Sequence, residues 1–428
     1  MIPVISSDFE VAIKNIHKRT SYQNRPEADL VRSIVNDIAQ TGNQAVLKYV
    51  SQFEYPTHLF SKLRIDPVEV DLAHGRMTPE FIHIIRQAIT NIRAYHEKTG
   101  LQSWSQPIYT QSTLGMKVVP IRRVGVYVPG GSAAYPSSVL MNVVPAQVAG
   151  VEEIVLVSPS NAQGHINDAV LACCKELGIT EIYRMGGAQA VAALAYGTED
   201  LDPVDKIVGP GNLWVTLAKK EVFGVVGIDK LAGPSDVCIV ADHVANSDYI
   251  AADMLAQAEH DALASAILIT DSMETVMRVT QSLERQFNKL PRQSIMREAL
   301  THNSAAFVVK RDDLDEMARL VNLIAPEHLE IMHDNYRDLV PKIRNAGAIF
   351  VGEYSAEVLG DYMLGPNHVL PTGGTARFSS PLSVFDFVKT SSLISLNRVD
   401  YPAIGNDTAA FADLEGLPAH ANAARVRL

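Results

Sequence analysis

The chain has 428 residues, 47% hydrophobic and 20% charged, and a formal net charge of −11. That length exceeds what one hydrophobic core serves, so two or three packed units are expected, and the acidic balance excludes a broad electrostatic grip on nucleic acid. No stretch approaches the roughly 18 uninterrupted apolar residues of a membrane span. The opening MIPVISSDFEVAIKN lacks the basic-then-apolar pattern of a secretory signal, and Cys173, Cys174 and Cys238 make no disulfide framework, so a cytoplasmic protein with neither membrane nor nucleic-acid partners is expected.

From about residue 25 to 100 the apolar positions recur at helical spacing, as in DLVRSIVNDIAQTGNQAVLKYVSQF and PEFIHIIRQAITNIRAYHEKTG. Gly115–Pro120 then reads as a strand leading into a second one, RVGVYVPGG. Beyond it short β-branched runs alternate with helical patterns: EEIVLVS, EIYRM, DKIVG, VVGID, VCIVAD, AILIT, AAFVV, HLEIM and AIFVG. Such alternation predicts an α/β protein of parallel βαβ units, and the number of strands favours two doubly wound sheets over one. After about Pro381 the pattern changes to SPLSVFDFVKTSSLISL and an Ala-rich helical end, which reads as an appended arm.

Three glycine turns follow strands and open toward helices. They are VYVPGGSAAYPSS with Gly130 and Gly131, RMGGAQAVAAL with Gly186, Gly187 and Gln189, and VGPGNLWVTLAKK with Gly209, Gly211 and Asn212. Loops at the carboxyl ends of strands are where doubly wound sheets collect ligands, so each is a candidate wall of a nucleotide or anion pocket. None is a GxGxxG fingerprint or a Walker loop, and tight turns that need glycine's positive φ explain them equally well. Tyr127 and Tyr135 flank the first turn, where a ring can stack on a planar cofactor or simply pack.

A set of polar residues interrupts apolar or turn-rich stretches farther on: Gln257 and His260 in LAQAEHD, Glu327 and His328 in IAPEHLEI, Asp361 and His368 in GDYMLGPNHVLPTGG, Glu415 and His420 in EGLPAHA. Gln257 and His260 are three apart in a helical pattern and so share a face. Asp361 and His368 fall in what reads as a loop between Gly360 and Gly374. Gln, His, Asp and His make a set of two nitrogens and two oxygens acceptable to Zn²⁺, Mn²⁺ or Co²⁺. Glu327 and His328 are neighbours at the start of a strand, so their side chains diverge and can serve two proton transfers. Each group taken alone is equally compatible with a structural role. Cys173 and Cys174, in DAVLACCKELG, read as buried apolar residues.

These stretches together resemble the histidinol dehydrogenase family, from RVGVYVPGGSAAYPSSVLMNVVPAQVAGV through GGAQAVAALAYGT, DKIVGPGN, LAGPSDV, DMLAQAEHD, APEHLE, GDYMLGPNHVLPTGGTARFSSPLSV and EGLPAHANA. The resemblance implies two Rossmann-like domains with small additional N- and C-terminal domains, and a homodimer with shared active sites. It implies an N-terminal arm over 1–22, a discontinuous domain of 23–126 and 237–380, a second domain on the NAD side over 127–236, and a C-terminal arm over 381–428 reaching the partner subunit. It further implies one Zn²⁺ per subunit on Gln257, His260, Asp361 and His420, and acid–base roles for Glu327 and His328. Ser235, His368 and Glu415 match residues that hold the substrate, which the metal ligands and His328 also border. Tyr127, Gln189 and Asn212 match contacts to NAD. The implied reaction is a four-electron oxidation of L-histidinol through L-histidinal to L-histidine with two NAD⁺, the alternative being a paralogue that oxidises another amino or polyol alcohol. One departure is Asp236, after Ser235, where many relatives have glutamate; it keeps the charge on a shorter side chain.

Overall fold

The computed structural model describes residues 2–18, 25–57, 62–130 and 134–428, so Gly131 and residues 19–22 of the expected arm lie outside the described residues. Fourteen strands are present among them: β1 Val4–Ile5, β2 Trp104–Pro107, β3 Thr113–Pro120, β4 Arg123–Tyr127, β5 Glu153–Ser158, β6 Glu181–Arg184, β7 Lys206–Val208, β8 Gly227–Ile228, β9 Asp236–Ala241, β10 Ser265–Thr270, β11 Ala305–Val308, β12 His328–Met332, β13 Ala348–Val351 and β14 Val388–Ser395. The β-branched runs become the strands of two parallel sheets. A five-stranded sheet has the order β6-β5-β4-β7-β8, and a six-stranded sheet the order β1-β11-β10-β9-β12-β13. Apart from the N-terminal edge strand β1, in both the chain starts in the middle, at β4 or β9, winds outward one way and then returns to wind the other way. That is the doubly wound Rossmann-like plan.

Both sheets are buried on two faces, and alternation sorts their side chains. Val237, Ile239 and Ala241 of β9 join one core of the six-stranded sheet, whereas Cys238 and Val240 join the other. The first of these cores also holds Ile250, Met254 and Leu255 from the helix Ser247–Ala258, the crossover between β9 and β10. Asn246 caps that helix by accepting from the Asp248 N–H at 2.9 Å. A crossover helix runs antiparallel to the strands it joins, so its C-terminal end lies beside their amino ends.

Packing divides the chain differently from the expected domains. The helices Glu27–Thr41 and Asn43–Phe53 contribute Val31, Ile34, Val46 and Val50 to one face of the five-stranded sheet, and Pro79–His96 contributes Ile82, Ile85 and Ile92 to the other. Residues 27–96 thus belong with that sheet and not with 237–380, and the expected boundary at 126/127 cuts β4. The N-terminal residues join the six-stranded sheet: β1 pairs in parallel with β11, and the helix Phe9–Lys18 buries Ile13 against the helix Leu314–Ile324. In the C-terminal segment β14 pairs antiparallel with β3, which also pairs with β2. The helices Pro402–Leu414 and Pro418–Arg425 then close on a small core of their own, Ala409, Ala412, Ala421 and Ala424. No helix among the described residues is long and apolar enough to cross a membrane.

Candidate active site

The polar cluster sits at the amino ends of β9 and β12, neighbours at the centre of the six-stranded sheet. Glu327 immediately precedes β12 and His328 opens it, with His328 paired to Val237 on one side and Ala348 on the other. Asp236 locks the two strand starts together. Its Oδ1 accepts from the Glu327 N–H at 2.8 Å, its own N–H donates to Glu327 Oε2 at 3.1 Å, and its Oδ2 accepts from Gly373 N–H at 3.3 Å. The divergence expected of Glu327 and His328 follows from strand alternation, which puts His328 on the same face as Glu330, toward the helix Ser247–Ala258.

That face carries an unusual density of buried acids: Asp253, Glu330 and Glu357 are nearly inaccessible to solvent. Glu330 Oε1 accepts from the Glu357 N–H at 2.9 Å. Burial raises the pKa of Glu357 to about 8, assisted by the charges of Asp361 and Glu327 and opposed by His328. Glu327 is raised to about 7, again chiefly by burial, with His328 opposing. Burial disfavours a charge on His328, but Glu357, Glu327 and Asp361 outweigh it and hold the imidazole well above its ordinary value.

The His328 ring has distinct sides. Nδ1 lies 3.3 Å from the Asp236 carbonyl oxygen and 3.6 Å from Glu357 Oε2, both acceptors, so Nδ1 carries the proton in the neutral ring. Nε2 is buried without a hydrogen bond and lies 3.8 Å from Asp361 Oδ1. In that neutral ring it is the atom with a lone pair to offer.

Asp361 is placed on a short helix, Glu357–Tyr362, and not in a loop as its glycine-flanked sequence suggested. Gly360 makes this possible, because a Cβ there would stand 2.8 Å from the Phe350 ring. Burial would raise Asp361, but His328, His368 and His260 pull it below the usual carboxylate range. His368 is held by Nδ1 donating to the Asp361 carbonyl oxygen at 3.1 Å. Gln257 lies in the last turn of its helix, whereas His260 lies beyond the helix end, at the mouth of the site. The ring is reachable by solvent yet surrounded by protein, and that partial desolvation lowers its pKa against the pull of Asp361. Ser235 is half-buried just ahead of β9.

Glu415 and His420 are elsewhere. Both are exposed on the C-terminal helix pair, where they line a hollow of about 460 Å³ with Asp407, Thr408, Phe411 and Leu417. Among the described residues no group of three or more His, Cys, Asp and Glu side chains is arranged to hold a metal ion. One chain brings Gln257, His260 and Asp361 to the site and leaves His420 outside it.

The glycine turns lie on the other sheet, at its carboxyl ends. Gly209 follows β7 beside Tyr127 at the end of β4, the point where the strand order reverses. It has φ +112°, and a Cβ would stand 2.1 Å from the Tyr127 carbonyl oxygen, so glycine is required. Its N–H donates to Asp229 Oδ2 at 2.8 Å, and Asp229 forms a buried ion pair with Lys219 at 2.7 Å. Asn212 is exposed and caps the helix Leu213–Val222 through Val215 N–H. Tyr127 and Gln189 are buried: the tyrosine oxygen accepts from Gly187 N–H at 3.1 Å, and the glutamine donates to Glu54 at 2.9 Å. Glu54 also accepts from Gly186 N–H, so a carboxylate of the protein already occupies that helix start. A cavity of about 590 Å³ opens beside Gly130 at the ends of β4 and β5, lined by Ser158, Asn161, His165 and the paired Arg76 and Asp168.

The family model for histidinol dehydrogenase matches residues 17–428. The chain belongs to the histidinol dehydrogenase family. Histidinol dehydrogenase of Geobacillus kaustophilus is 50% identical over 97% of this chain and 96% of the relative, and that of Bacillus licheniformis is 49% identical over 100% and 98%. The crystal structure of histidinol dehydrogenase from Elizabethkingia anophelis superposes with a TM-score of 0.93 at 34% identity, covering 100% of this chain and 98% of that one. Membership of the histidinol dehydrogenase family makes the chain an oxidoreductase of histidine biosynthesis.

Asp236, Asp253, Glu330 and Glu357 did not stand out as site residues in the sequence of this histidinol dehydrogenase family member. In the sequence Asp236 reads only as a departure, yet it fastens Glu327 in place. The other three are single acids in helical or strand patterns, and the one available signal is an acid at a core-facing position: Asp253 among Ile250, Met254 and Leu255, and Glu330 inside HLEIM.

Proposed function

We propose that this chain catalyses the zinc-dependent, NAD-linked four-electron oxidation of L-histidinol, through L-histidinal, to L-histidine, as a cytoplasmic homodimer. The observation that carries the reading is the His328 ring, whose buried, unpartnered Nε2 faces Asp361 while Nδ1 is committed to acceptors. An atom of this kind, next to a carboxylate raised to about 7 on Glu327, is what a two-stage proton abstraction needs.

The side chains gathered here offer a donor set suited to a metal. The Asp361 charge pulls the His260 pKa up against burial and His260 pulls Asp361 down, as facing groups do, and the Gln257 carbonyl has a second lone pair beyond the one Asp236 N–H engages. With His420 from the other subunit these residues fit zinc, with two nitrogens, two oxygens and no thiolate. Bound zinc would fix the imidazole and amine of the substrate so that the reacting carbon faces NAD, the hydride acceptor. Ser235 and His368 border that position, and Glu415 of the other subunit would meet the cationic side of the substrate. Tyr127, Gln189 and Asn212, around the Gly209 and Gly187 turns, would contact NAD.

In the first stage His328 Nε2 takes the hydroxyl proton of the alcohol. Asp361 is a ligand in this reading, so its pull on His328 would be shared with the metal, while the larger pulls of Glu357 and Glu327 remain and place the ring's action as a base above the ordinary imidazole range. In the second stage Glu327, ionised above about pH 7, takes a proton from water adding to the aldehyde, and His328, having released its first proton to solvent, takes a hydroxyl proton of the hydrate as the second hydride passes to a second NAD⁺. The test is the yield of NADH per L-histidinol consumed. Two per molecule is the expected result, with Glu327→Gln impairing aldehyde oxidation far more than alcohol oxidation. A yield of one, or turnover of simple diols in preference to histidinol, would refute the reading.

A further inference from the structure

Glu357 opens the short helix that carries Asp361 and is 1% exposed. It faces the metal side and the proton side of the site at once. With the Gln257 amide nitrogen turned toward it, both carboxylate oxygens lie 3.2 Å from that nitrogen, and the Gln257 carbonyl oxygen accepts from Asp236 N–H at 3.2 Å. The opposite rotation would press the amide oxygen against the carboxylate, so Glu357 dictates which Gln257 atom is presented outward. On its other side Oε2 is 3.6 Å from His328 Nδ1. The backbone of Glu357 is itself fixed, through its N–H on Glu330. Among the described residues no lysine or arginine forms an ion pair with it, so the fold retains a buried carboxyl without a permanent cation.

We propose that Glu357 is a positioning residue that acts through two others. It orients the Gln257 amide so that oxygen, not nitrogen, is available to a metal, and it selects the Nδ1–H tautomer of His328, which leaves Nε2 as the base. The proposal rests on the reading of Gln257 and His328 given above, and it assigns Glu357 no contact with substrate.

The two arms can be separated by substitution. Glu357→Gln keeps an oxygen for the Gln257 amide but can turn an NH₂ toward His328 Nδ1, which disfavours the working tautomer. Glu357→Ala removes both contacts. For Glu357→Gln the expected result is a fall in kcat of about tenfold or more with histidinol KM and zinc affinity within about threefold of the parent. At a pH alkaline enough to leave the parent imidazole neutral, the ¹⁵N signal of His328 Nε2 should move from the unprotonated to the protonated range. For Glu357→Ala a loss of zinc affinity of about tenfold, read by competition with a chelator, should be added. Parent-like kcat and an unchanged His328 spectrum in Glu357→Gln would overturn the proposal. If Glu357→Ala does not fold, the isosteric variant decides alone. The zinc competition and the ¹⁵N spectrum need no turnover, so failure of the parent to oxidise histidinol would sink the reaction assignment and leave Glu357 still tested.

Discussion

Asp236 and Glu327 exchange hydrogen bonds across two neighbouring strands, each backbone N–H donating to the other's carboxylate, at 2.8 and 3.1 Å. Removing the first carboxylate strands a buried N–H and frees the second. Asp236→Ala should cost about 1–3 kcal/mol, read as a lower urea midpoint at unchanged m-value, and should reduce turnover through Glu327. Asp236→Asn keeps one acceptor oxygen and should retain most of the stability. Equal midpoints for the alanine variant and the parent would mean that the exchange contributes nothing.

The Glu330 carboxyl sets a pH dependence of stability. Burial first, then the charges of Asp253 and Glu357, push its pKa far above the usual 4.5. A folded-state pKa raised above the unfolded one stabilises the fold fully below the unfolded value, and that contribution is lost as pH rises through the folded value. Glu330→Gln should therefore gain on the parent as pH increases from about 4.5 into the alkaline range, in urea titrations run across that interval. A gap that is constant with pH would show that Glu330 ionises as freely in the fold as outside it.

Lys219 and Asp229 hold the Gly209 turn, with the lysine also donating to the Gly209 carbonyl oxygen. Lys219→Met leaves Asp229 buried and unpaired, a loss of about 3–5 kcal/mol. In the surviving folded enzyme the KM for NAD should rise several-fold more than the KM for histidinol. A uniform change in both would place the effect outside the turn.

The separation of His420 from Gln257, His260 and Asp361 predicts complementation between subunits. His420→Ala and His328→Ala, each inactive, should regain up to about a quarter of parental activity when mixed and allowed to exchange, since one site in each mixed dimer is then intact by the symmetry of a two-fold assembly. Demonstrated exchange without recovered activity would contradict a shared site.

Much of this architecture is legible in the sequence, for identifiable reasons. VCIVAD is apolar on both faces and HLEIM keeps Leu329, Ile331 and Met332 around its two polar residues, so they read as buried strands and become β9 and β12. The placement of residues 27–96 is not legible, because periodicity shows that Ile34 and Ile85 face a core without naming the sheet. His260 reads as helical because it keeps the spacing of Gln257, although the helix ends at Ala258. Asp361 fails in the opposite sense: six residues containing a glycine carry too little pattern to read as a helix. Glu357 cannot be found from its neighbours at all, since what defines it is contact with residues 100 and 29 positions away in the chain, Gln257 and His328.

The pairing of His328 with Val237 and Ala348 has a consequence for fidelity. Side chains alternate along a strand, so a slip of one residue between β12 and β9 would carry Glu327 to the face where His328 belongs and turn His328 away. The sheet would keep most of its ladder bonds, but its apolar residues would be inverted and its proton chemistry reversed. The register that builds the core is thus the same one that would set the proton chemistry, so a one-residue mispairing would forfeit both together.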